Sequence, residues 1–147
     1  MPDYEIRPNE GVGPIRFGMT VDEVRRVLGA PDAVFRKSRS ASFTTDDFNR
    51  LGFHVYYSSG GVCNAVEFFP PGNPVLGGHA FLGKPFSSVR DALLMLDPQA
   101  TSDHAGTKSL SIGVGVYAPH ALKSPEHPVE GVIVFAKDHY GAIRDSR

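Results

Sequence analysis

The sequence carries one cysteine, Cys63, and no tryptophan. A lone thiol closes no internal disulfide and builds no cysteine metal cage, which points to a reducing, cytoplasmic setting. No apolar run approaches the ~20 residues of a membrane span, so no membrane partner is expected. The opening Met-Pro-Asp-Tyr-Glu-Ile-Arg shows no basic stretch followed by an apolar one, the pattern of a secretory signal. Neither charge sign dominates: 15 Lys and Arg stand against 16 Asp and Glu. Phosphate backbones are held by clustered surplus cations, so a nucleic-acid partner is not expected either. What is present is ordinary globular composition, 41% hydrophobic and 21% charged over 147 residues. A chain of this length buries roughly two thirds of its unfolded surface and needs no covalent staple.

The chain repeats itself. Phe17-Gly-Met-Thr-Val-Asp-Glu-Val-Arg-Arg-Val-Leu28 aligns at constant offset with Leu82-Gly-Lys-Pro-Phe-Ser-Ser-Val-Arg-Asp-Ala-Leu93, matching Gly18 to Gly83, Arg25 to Arg90 and Leu28 to Leu93. Further on, Val62–Phe69 resembles Val129–Ala136, with Val66 matched to Ile133 and Phe68 to Phe135. Two matches in the same order indicate an internal duplication. The expected units are 1–72 and 73–147, each a helix followed by an antiparallel sheet, joined through Pro70-Pro-Gly-Asn-Pro74. A half this small is marginal alone, so the two should merge into one α+β unit with a concave sheet face.

Local signals place the elements. Val21, Val24, Val27 and Leu28 form one helical stripe, Thr20 and Glu23 have capping-box spacing, and Gly29 and Pro31 stop the helix. Pro85 opens a second helix with the stripe Val89, Ala92, Leu93 and Leu96, which Asp97-Pro98 ends. Leu51–Tyr57 and Val62–Phe69 read as a hairpin, and Leu110–Tyr117 and Val129–Ala136 as a second strand pair. Shorter strands are expected at Ala33–Arg36 and Ser42–Thr45.

Gly18-Met-Thr-Val-Asp-Glu-Val-Arg-Arg-Val-Leu-Gly-Ala-Pro-Asp32 resembles the signature of the BamE (SmpA/OmlA) family, in which a Gly-Met-Ser/Thr step caps a helix ending in Leu-Gly-x-Pro. The hairpin ending Val62-Cys-Asn-Ala-Val-Glu-Phe68 is similar to that family's closing strands. A tandem pair of such units resembles the β-lactamase inhibitory protein scaffold. The resemblance implies a scaffold and a habit of binding proteins. It brings no particular target, because the lipid-acceptor cysteine and the disulfides of those relatives have no counterpart in the residues here.

Catalytic patterns do not converge. Gly11-Val-Gly13 lacks the Lys-Ser/Thr of a nucleotide loop, and Pro14 removes an N–H, so a plain turn is expected. Six histidines are scattered: His54, His79, His104, His120, His127 and His139. Only His120 and His127 with Glu126 have the makings of a two-His-one-carboxylate site, and stiffening prolines favour an ordinary loop. No metal and no cofactor are therefore assigned. Cys63 lies in a hydrophobic run that should blunt it. Asp46 and Asp47 read as a solvated, loop-initiating pair.

The informative pattern is the far side of the sheet. If Val66, Phe68, Ile133 and Phe135 face the helices, alternation puts Cys63, Ala65, Glu67, Phe69, Val132 and Val134 opposite, joined by His54, Tyr56 and Tyr117. Gly113 and Gly115 would leave shallow gaps beside Tyr117. The expected function is a non-enzymatic protein-binding module, of inhibitor or immunity type, contacting its partner through His54, Tyr56, Glu67, Phe69, Tyr117, Val132 and Val134. The alternative is a small-ligand binder or weak enzyme with His54 and Glu67 as its polar groups, in a pocket between the two sheets. Close pairing of His54 with Glu67 would favour it. A homodimer through the same face is a third expectation.

Overall fold

The computed structural model describes residues 3–36, 44–103, 105–121 and 123–137. His104, His139 and residues 42 and 43 of the expected Ser42–Thr45 strand lie outside them. The elements run β1 (Tyr4–Arg7), β2 (Gly11–Val12), β3 (Ile15–Arg16), α1 (Val21–Leu28), β4 (Ala33–Phe35), β5 (Thr45–Phe48), β6 (Phe53–Tyr57) and β7 (Cys63–Phe68). Then come β8 (Pro74–Leu76), β9 (His79–Ala80), α2 (Phe86–Leu96), β10 (Thr101–Ser102), β11 (Gly106–Ser109), β12 (Val114–Tyr117) and β13 (Gly131–Phe135). The class is α+β.

Eight strands make one antiparallel sheet in the order β10-β11-β12-β13-β7-β6-β5-β4. It consists of two four-strand meanders, one following α1 and one following α2, joined along β7 and β13. A smaller sheet, β3-β2-β1-β8-β9, takes strands from both sides of the proline-rich join, with β1 parallel to β8. Gly13 sits at the β2–β3 turn with φ 56°, and a Cβ there would stand 2.5 Å from the Tyr4 ring. The expected turn is what the glycines build.

Both helices form for local reasons. The Thr20 hydroxyl accepts from the Glu23 N–H while the Glu23 carboxylate accepts from the Thr20 N–H, a reciprocal cap that also holds the Glu23 carboxyl below its ordinary value. The Gly29 N–H then donates to the Arg25 carbonyl at 2.8 Å. Val24 is the buried member of the α1 stripe, whereas Val27 is half exposed. In α2, Phe86, Val89 and Leu93 are buried; each contributes roughly 1.5–3 kcal/mol of apolar burial. Leu96 stays exposed.

The core lies between the large sheet and the helices with the small sheet. Tyr4, Phe53 and Phe68 meet edge to face or tilted, with ring centroids 5.2 to 5.7 Å apart. Asp46, expected in a solvated loop, is instead a fully buried strand residue on this inner face. Arg25 of α1 donates to it twice, at 2.7 and 2.9 Å, and the Tyr57 hydroxyl donates at 2.9 Å. Three donors on one carboxylate account for its burial.

The facing of β13 is the reverse of the sequence expectation. Val132 stands opposite Phe68 and Val134 opposite Val66, and directly opposed residues share a face. Val132 and Val134 are therefore core residues with no exposed surface, and Ile133 and Phe135 lie on the far side. Gly-Val-Ile-Val-Phe is apolar at almost every position, so the segment has no alternation from which to read its face, and a one-residue slip inverts every side chain. Cys63 is also turned inward, because the β6–β7 register shifts between Tyr56 and Tyr57. Burial pushes its thiol up to about 12.

Candidate functional site

The far face of the large sheet brings together His54, Tyr56, Glu67, Phe69 and Tyr117 of the expected contact set. Its middle is closed. Tyr56, Ala65 and Phe135 are buried there as a small cluster with Ile133 against it.

On one side of this cluster, His54 on β6 pairs across the sheet with Glu67 on β7 and with Asp47 on β5. Its Nε2 lies 3.4 Å from Asp47 Oδ1. The imidazole is ringed by aromatic side chains, with centroids 4.9 Å from Phe69, 5.2 Å from Phe35 and 6.4 Å from Tyr56. Asp47 is buried; Asn49 donates to its Oδ2 at 2.9 Å, and Oδ1 accepts no hydrogen bond among the described residues. Asp47, like Asp46, was expected in solvent. Adjacent strand residues point to opposite faces, so one acid serves the core and the other the far face. The only sequence signal was the flanking Thr45 and Phe48, too short a pattern to mark a strand.

Next to His54, the Tyr56 hydroxyl donates to Glu67 Oε1. Burial, the bond to Glu67 and the charge of its carboxylate push the phenol far above its ordinary value. Tyr56 is thus a buried structural donor and offers little ring surface to a partner.

On the other side, β7, β13, β12, β11 and β10 floor a groove of about 570 Å³. Its walls include Glu67, Ile133, Lys108 and Tyr117, with Thr101–Asp103 along one side. Gly131 and Gly115 are the low points. Tyr117 is 52% exposed, and its ring passes 3.9 Å from where a Gly131 Cβ would stand. Of the two expected gaps, only Gly115 belongs to this floor. Gly113 instead packs against backbone, since a Cβ on it would meet the Phe135 carbonyl oxygen at 2.4 Å.

The chain matches no protein-family model, no curated protein and no solved structure. Nor do the described residues contain a group of three His, Cys, Asp or Glu placed to hold a metal ion. His120 and His127 do approach, with ring centroids 5.6 Å apart, while Glu126 accepts from the Ser87 hydroxyl at 2.9 Å. No helix among the described residues is long and apolar enough to cross a membrane.

Proposed function

We propose that this chain is a non-enzymatic protein-binding module of inhibitor or immunity type, working through the Tyr117 groove on the far face of the large sheet. The observation that carries this is Tyr117 itself. It is a half-exposed aromatic held on a rigid strand, above a glycine floor, with a carboxylate and an ammonium group in the same groove. Tyrosine in such a place gives large contact area at little cost in side-chain entropy. The contact set on this reading is Tyr117, Glu67, Lys108 and Ile133.

The scaffold belongs to the same proposal. A duplicated, BamE-like chain with the tandem layout of the inhibitory proteins is supported by the order of elements. Each helix is followed by a four-strand meander, and the meanders meet edge to edge.

The test is capture of a protein from the source organism by the wild type, by Tyr117→Ala, and by Met95→Ser as an exposed control on α2. A protein retained by the wild type and Met95→Ser but lost with Tyr117→Ala supports the reading. Equal retention by all three overturns it.

A second reading is favoured by the His54–Glu67 pairing and by the unsatisfied Asp47 Oδ1 beside them: a small-ligand site on the far face, around His54. His54 and Glu67, its polar groups, stand on the neighbouring strands β6 and β7 of the large sheet. In a small-molecule binding screen on the same scaffold, His54→Gln would then abolish binding while Tyr117→Ala left it unchanged.

A further inference from the structure

We infer that two copies of this chain pair through β4, antiparallel and about a two-fold axis at Val34, joining their large sheets into one. The two edges of that sheet differ. At one end β10 is two residues long and polar, Thr101-Ser102, the kind of short edge that resists pairing. At the other, β4 is exposed along its whole length and, among the described residues, is bonded on one side to β5 and on the other to no strand. It has no lysine, proline or bulge to discourage a second strand, and Val34 is 48% exposed.

The occupant follows from the sequence of this edge. Asp32-Ala-Val-Phe-Arg36 carries opposite charges at its ends. Centred on Val34, antiparallel pairing sets Asp32 of each copy opposite Arg36 of the other, Ala33 opposite Phe35, and Val34 opposite itself. Small meets large, and acid meets base, twice in one interface. Asp32 already accepts from the Arg50 side chain and backbone on its own copy, and a carboxylate has lone pairs for a further donor.

The experiment is light scattering over a dilution series of the whole chain, with amide exchange followed at 33–35. The wild type is expected to show a concentration-dependent rise from one to two chain masses, with slower exchange at 33–35 as the dimer forms. Arg36→Glu places like charges together at both ends and should raise the dissociation constant about tenfold or more. Mixing Arg36→Glu with Asp32→Arg should restore a heterodimer, because each end regains opposite charges. Val34→Lys should also give a monomer; if it fails to fold, the exposed Arg36→Glu still decides the matter. A wild type that stays monomeric throughout, or a dimer untouched by Arg36→Glu, overturns the inference. The Tyr117 groove is not involved, so its own test stands or falls separately.

Discussion

Tyr56 and Glu67 face each other diagonally across β6 and β7, and the phenol donates to the carboxylate. Removing that hydroxyl leaves a half-buried charge short of a partner while keeping the ring in place. Tyr56→Phe is therefore expected to lower stability by about 1–3 kcal/mol. Urea unfolding should show a lower midpoint with an unchanged slope, since the surface exposed on unfolding stays the same.

Asp46 joins α1 to the sheet through Arg25 and Tyr57. Asp46→Ala strands the guanidinium and the phenol together. Arg25 is about a third exposed and can find water, which trims the loss, so about 3 kcal/mol is expected rather than the upper end for a fully buried pair. Thermal unfolding of Asp46→Ala, Arg25→Ala and the double variant checks it. The double variant should cost less than the sum of the singles, because the three groups act together.

Asp97 closes α2 and accepts from the Ser109 hydroxyl at 2.7 Å and from the Gln99 N–H at 3.0 Å. The Ser109 bond first, and the backbone bond with it, hold its carboxyl below the ordinary value. A depressed folded value adds stability that is fully present above the unfolded aspartate range, near pH 4, and is lost as pH falls through the folded value. Ser109→Ala should flatten that acid limb of stability against pH. A carboxyl-carbon NMR titration should show Asp97 moving up toward its ordinary value.

The facing of β13 and of its partner β12 makes a substitution on each strand diverge. Val134→Ala opens a hole in the main core and should cost about 2 kcal/mol. Tyr117→Ala, on a half-exposed ring, should cost about half a kcal/mol or less. Chemical denaturation of the two variants side by side distinguishes them, and equal costs would mean that the strand is turned the other way.

Features encoded within a few residues were legible in the sequence. The α1 capping box, the Pro85 start and Asp97 end of α2, and the strands around Phe53–Tyr57 and Cys63–Phe68 each announce themselves locally. The strands of the small sheet and β10 and β11 did not, because two- to four-residue polar segments such as Thr101-Ser102 and Gly106-Thr-Lys-Ser109 become strands only through the neighbours they meet. The site was half legible. His54, Glu67, Phe69 and Tyr117 fell on the expected face by simple alternation. Val132 and Val134 did not, because an unbroken apolar run leaves its face to be set by register with β7. Asp47 was missed since acidic neighbours ordinarily mean solvent.

The seam between β7 and β13 has a practical consequence. A polypeptide cut at 72/73 would leave each fragment with a raw strand border, stripped of its hydrogen-bonding neighbour and flanked by valines meant for a common interior. Such fragments, made separately, are expected to precipitate; made together, they are expected to knit back along that border.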